Sequence, residues 1–97
     1  MRDYEVTLIL RPDIDDNARE ELLNNVEGWL THGEEESDKP LPKHWGLRSM
    51  AYPIENFTDG YYVFYEAHLE PSRVNEIERN ILFSDEILRH LVVNKEV

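Results

Sequence analysis

Cysteine is absent from the 97-residue sequence. The chain therefore has no disulfide framework and no thiolate nucleophile, which suits a reducing compartment. Long apolar runs are missing too, and the longest fall far short of the ~20 residues a membrane span needs. The opening Met1-Arg-Asp-Tyr-Glu5 carries no signal-peptide pattern. Together these absences predict a cytoplasmic protein. Positive charge is scarce: 10 Lys and Arg face 21 Asp and Glu, for a net charge of −11 and a pI near 4.6. That balance argues against a nucleic-acid binder relying on its own phosphate contacts. The shortage is local, however. Between Asp13 and Asp38 there are ten acids and one base, Arg19, while the rest of the chain carries eleven acids and nine bases. An acidic chain of this kind can still present a neutral or mildly basic face elsewhere.

Catalytic signatures are also missing. His32, His44, His68 and His90 show no metal-ligand spacing. No Gly-rich phosphate loop, nucleophile elbow or zinc motif occurs, and Ser37, Ser49, Ser72 and Ser84 have no local signature. Asp13-Ile-Asp-Asp-Asn17 resembles the start of a calcium loop, but its sixth position is Ala18 and its twelfth Asn24. Glycine and glutamate are needed there, so helix capping explains the acids better. Glu34-Glu-Glu36 reads as a solvated acidic turn rather than a cation site. The expectation is no enzyme, no cofactor, no metal and no small-molecule substrate.

What is present is a clear alternation of elements. Tyr4 to Leu10 is rich in β-formers, with Tyr4, Val6, Leu8 and Leu10 on one face at period two. Arg11-Pro12 ends it. Asp13 and Asp15 suit a helix N-cap, and Ala18, Leu22, Val26 and Trp29/Leu30 follow as one apolar stripe, with Gly33 as a stop. Glu34 to Pro42 reads as a loop. Trp45 to Tyr52 reads as a strand closed by Pro53, with Gly46 marking a bulge or close approach. Asn56 to Gly60 is turn chemistry, and Gly60 to Leu69 is the strongest strand. Pro71-Ser72 opens a second helix, with Ser72 as its cap and Val74, Ile77 and Ile81 as its stripe. Ser84 to Glu86 breaks it, and Ile87 to Val93 is the last strand. The order β-α-β-β-α-β predicts a ferredoxin-like α+β fold spanning 1–97 as a single domain. In it, a four-stranded antiparallel sheet carries both helices on one face.

The aromatic strand decides how the other face is read. Tyr61, Val63, Tyr65 and Ala67 share one side; Tyr62, Phe64 and Glu66 share the other. Helices can cover only one side, so the rings on the second predict a partner surface. The same segment resembles an RNA-recognition signature, in which alternating aromatics stack bases. A free-standing module for single-stranded RNA is therefore the alternative function, although Asp59 stands where that signature has a base. The cations outside the acidic helix include Arg2, Lys39, Lys43, Arg48, Arg89 and Lys95. In a ferredoxin-like sheet the first strand neighbours the fourth, which puts Arg2 and Arg89 in reach of each other and Arg48 on the far edge.

Several motifs in order give the chain a resemblance to bacterial small-subunit ribosomal protein six. They are Met1-Arg-Asp-Tyr-Glu5, Arg11-Pro12, Trp45-Gly-Leu-Arg48, Ala51-Tyr-Pro-Ile54, Gly60-Tyr-Tyr62, Arg73-Val-Asn-Glu-Ile77, Asp85-Glu-Ile-Leu-Arg89 and Val92-Val93. The Trp45 to Ile54 stretch is the most specific of them. Gly33 to Lys43 departs from the family pattern, with more acids and prolines than a strand start. The resemblance implies a structural role in the small ribosomal subunit, paired with basic small-subunit protein eighteen on small-subunit ribosomal RNA. An acidic chain fits a basic partner, because complementary fields speed encounter and set orientation. Tyr52, Tyr62 and Phe64 are the expected partner contacts. Arg2, Arg48, Arg89 and Lys95 are the expected RNA contacts.

Overall fold

A computed structural model describes residues 2–31 and 40–95. The strands are β1 (Arg2–Leu10), β2 (Lys43–Ile54), β3 (Phe57–Leu69) and β4 (Ile87–Asn94). The helices are α1 (Asp16–Leu30) and α2 (Val74–Leu82), the second entered through a 3₁₀ turn at Pro71–Arg73. The sheet is antiparallel throughout, in the order β2-β3-β1-β4. This is the ferredoxin-like arrangement expected from the element order.

The period-two pattern of β1 folds as written. Tyr4, Val6, Leu8 and Leu10 are buried, and in register with them lie Ala67, Tyr65, Val63 and Tyr61 of β3, with Leu69 buried on the same side. Leu22, Leu23, Val26 and Leu30 of α1, with Ile77 and Ile81 of α2, close over this side and complete the core. Burying a side chain of this size stabilises the fold by roughly 1.5–3 kcal/mol. Asp15 caps α1, accepting a hydrogen bond of 2.7 Å from the Ala18 N–H. Among the described residues, one charged group lies within the core. Glu27 is 7% exposed, and its Oε2 accepts a 2.7 Å hydrogen bond from the Tyr65 hydroxyl. Burial and the neighbouring carboxylate push the Tyr65 phenol far above its usual pKa.

Local boundaries differ from the sequence reading in four places. Helix α1 ends at Leu30 with Thr31 as its C-cap, before Gly33, which lies outside the described residues together with His32, Glu34-Glu-Glu36 and Lys39. Strand β2 runs through Pro53 to Ile54, because Pro53 sits on an edge strand where a lost N–H breaks no ladder bond. The hairpin turn is Glu55-Asn56, both at positive φ, 50° and 71°, with Ile54 and Phe57 paired across it. Gly60 is therefore not a turn residue: a Cβ there would run into Ile9 Cγ2. Ser72 lies inside the 3₁₀ turn, and α2 starts after Arg73 without a side-chain cap.

Candidate protein and RNA interface

Each strand sends its alternate residues to the side of the sheet that carries no helix. From β1 these are Asp3, Glu5, Thr7 and Ile9, and from β3 they are Tyr62, Phe64, Glu66 and His68. Strand β4 adds Arg89, Leu91 and Val93. Leu91 is 60% exposed and Val93 42%. Single exposed apolar residues are ordinary, but these stand beside rings in one continuous face.

Strand β2 completes that face. Gly46, at φ 82°, carries a bulge opposite Tyr62. The extra residue turns Trp45 onto the face, where its ring stacks on Phe64 with centroids 5.6 Å apart and planes 5° from parallel. Lys43 Nζ stands 5.6 Å from the same Phe64 ring. Further along, the hairpin curls Tyr52 over to β4, placing its ring 5.5 Å from the Arg89 guanidinium. Two shallow grooves flank Arg89. One, of about 370 Å³, is lined by Thr7, Ile9, Arg89, His90 and Leu91. The other, of about 120 Å³, runs between Ile9, Tyr62, Met50 and Tyr52.

A larger groove of about 410 Å³ lies between α1 and the start of β2. Four of its polar groups bind one another. Arg19 pairs with Asp16 and lies over the Tyr61 ring at 4.1 Å, and the Tyr61 hydroxyl hydrogen-bonds His44 Nδ1 at 2.8 Å. Among the described residues no cluster of His, Cys, Asp and Glu has the arrangement to hold a metal ion.

The residues singled out from sequence do not form one patch. Tyr62 and Phe64 lie side by side along the open face, and Tyr52 joins them across the hairpin. Arg48 is exposed on edge strand β2, its Nε donating to the Trp45 carbonyl at 3.3 Å. Arg2 and Arg89 are not neighbours, contrary to the expectation from strand order. Arg2 pairs with Leu69 at one end of β1, whereas Arg89 lies beside Ile9 near the other. Antiparallel pairing sends the two ends of β4 to opposite ends of β1, so adjacency of strands did not bring these residues together. Lys95 lies at the Arg2 end, its Nζ 3.9 Å from both Glu5 and Glu66. Sequence reasoning passed over Trp45, Ile9 and Leu91 as face residues. The alternation with Arg89 marks Leu91, and with Tyr62 across the register it marks Ile9. Trp45 depends on the Gly46 bulge, which strand alternation alone does not show.

A family profile described as ribosomal protein S6 matches residues 3–94. The chain belongs to the ribosomal protein S6 family. A relative, small ribosomal subunit protein bS6 of Dehalococcoides mccartyi, is 32% identical over 96 residues, 99% of this chain and 86% of that one. The crystal structure of 30S ribosomal protein S6 from Thermotoga maritima matches with a TM-score of 0.84 at 26% identity, over 98% of this chain and 88% of that one. Members of this family are structural, non-enzymatic components of the small ribosomal subunit, a cytoplasmic particle. The absence of catalytic motifs agrees with that role. No helix among the described residues is long and apolar enough to cross a membrane.

Proposed function

We propose that this chain, as a structural constituent of the small ribosomal subunit, docks its open sheet face on small-subunit protein eighteen and binds small-subunit ribosomal RNA together with it. The observation that carries the reading is an aromatic, partly apolar sheet face left uncovered in a chain of net charge −11. Burying that face on a protein removes apolar surface from water, and the basic partner supplies the charge this chain lacks. Tyr52, Tyr62 and Phe64 take the partner contact, joined by Trp45. Arg48, on the edge strand, is the stronger RNA candidate, because Arg89 lies on the face the partner covers and Lys95 already faces two carboxylates.

The alternative, a free-standing module stacking single-stranded RNA, is less well supported. Phe64 already has Trp45 against its ring and Lys43 beside it. The test is calorimetry of the chain with small-subunit protein eighteen, then of the pair with ribosomal RNA. Binding of the partner by the free chain, and of RNA only by the pair, is the expected result. RNA binding by the free chain that weakens by roughly 1–3 kcal/mol in Tyr62→Ala would favour the alternative.

A further inference from the structure

The open face carries its acids at one end. Strand register lays it out in rows about 7 Å apart, two residues of strand per step. Arg89, Ile9 and Tyr62 form the first row, and Leu91, Thr7, Phe64 and Lys43 the second. Val93, Glu5 and Glu66 form the third, and Asp3 and His68 the fourth. In the fourth row the charges cancel in place when His68 is protonated, since His68 Nδ1 lies 2.7 Å from Asp3 Oδ1.

The third row is different. Glu5 and Glu66 are direct cross-strand partners. Like charges in that position face each other at a Cβ separation of about 4.5–5.5 Å and destabilise a sheet. The core does not require them, because both side chains point away from the helices. Their neutralisation is loose. Lys95 Nζ is 3.9 Å from each carboxylate, and Lys43 Nζ is 3.6 Å from Glu66. Exposed pairs of this length contribute little and exchange readily with a competing cation. A guanidinium, by contrast, can hold carboxylate oxygens with paired, directed hydrogen bonds.

We infer that Glu5 and Glu66 form the receptor for a cationic side chain, arginine above all, on the basic protein that covers this face. The contact fixes the partner's direction: its apolar side chains lie on the Ile9, Tyr62, Phe64 and Leu91 rows, and its cation lies on the next. This inference rests on the open face being the partner's docking surface. A protein segment is the occupant rather than RNA, because paired carboxylates repel phosphate. A second copy of this chain is disfavoured by the charge of −11 that each copy would bring.

The experiment is titration of small-subunit protein eighteen into the full chain and into Glu5→Gln, Glu66→Gln and a control, Glu21→Gln. Glu21 is exposed on α1, so the control removes the same charge away from the sheet. Each of the first two substitutions is expected to weaken binding about ten-fold at low salt and less at higher salt. The control is expected to stay within about two-fold of the unaltered chain, the residual long-range effect of one charge. The Tm of the free Glu5 and Glu66 variants should be unchanged or higher. Unaltered affinity in both variants, while the parent chain binds, overturns this inference alone. Equal weakening in the control overturns it as well, by showing an effect of net charge only. Loss of affinity accompanied by a lowered Tm also overturns it, as a folding defect. No binding by the parent chain overturns the docking reading itself, and this inference with it.

Discussion

Val63 and Phe64 are consecutive residues of one strand with opposite surroundings. Val63 is wholly buried among helix side chains, while Phe64 faces the helix-free side beneath the ring of Trp45. The same contrast runs through the whole sheet. The covered face is built of Val6, Leu8, Leu10, Val63, Tyr65 and Leu69, each with no exposed surface. The open face holds comparable apolar mass, but it is interrupted by Arg89, Glu5, Glu66 and Lys43. A core tolerates almost no charge without a partner. Its buried acid among the described residues, Glu27, has the Tyr65 hydroxyl as a donor. The open face keeps many charges because water, and in the proposed reading a second protein, satisfies them. The difference separates residues that hold the fold from residues available for binding.

The comparison breaks most visibly under truncation. Leu8→Ala should destabilise the chain by about 3–4 kcal/mol, through lost burial and the cavity left behind. Phe64→Ala should cost about 1 kcal/mol, since it loses one stacked ring on a solvated face. Urea denaturation measures both, and a larger cost at Phe64 would reverse the assignment of the faces. Gly60→Ala should cost about 2 kcal/mol, because a methyl group meets Ile9 at a packed point of the open face. A neutral result there would show that Ile9 has room to move.

The buried pair sharpens the contrast through pH. Burial, then Glu27, raises the Tyr65 pKa in the folded chain, so folding favours the neutral phenol. Stability from this group is full below the unfolded value of about 10 and falls as pH rises past it. Tyr65→Phe should cost about 1.5 kcal/mol at neutral pH, by taking a donor from Glu27. It should also reduce the loss of stability on the alkaline side, read from denaturation midpoints at neutral and alkaline pH. The smallest expected effect is a gain. Asn56→Gly should stabilise the hairpin by about 0.5–1 kcal/mol, because φ of 71° suits glycine better.

Much of this was legible in the residues because the local signals agreed with one another. Alternation in Tyr4 to Leu10 and Tyr61 to Ala67, and the helical stripe through Leu22, Val26 and Leu30, all point to one covered face. The hairpin misled because Asp59-Gly60 is strong turn chemistry, whereas Gly60 is there for Ile9, a residue far away in the chain. Ser72 misled in a similar way, as a good cap type taken up by a 3₁₀ turn. Strand order placed Arg48 on the far edge, as found, but it did not show the separation of Arg2 from Arg89, because positions along antiparallel strands depend on register. Trp45 became a face residue only through the Gly46 bulge.

The central claim is that the helix-free face is where the protein partner sits. Backbone amide and aromatic NMR signals, followed as small-subunit protein eighteen is added, test it directly. The account predicts the largest shifts at Trp45, Tyr62, Phe64, Arg89 and Leu91, with α1 and α2 nearly unmoved. Shifts concentrated on the helices, with those five residues silent, would contradict it.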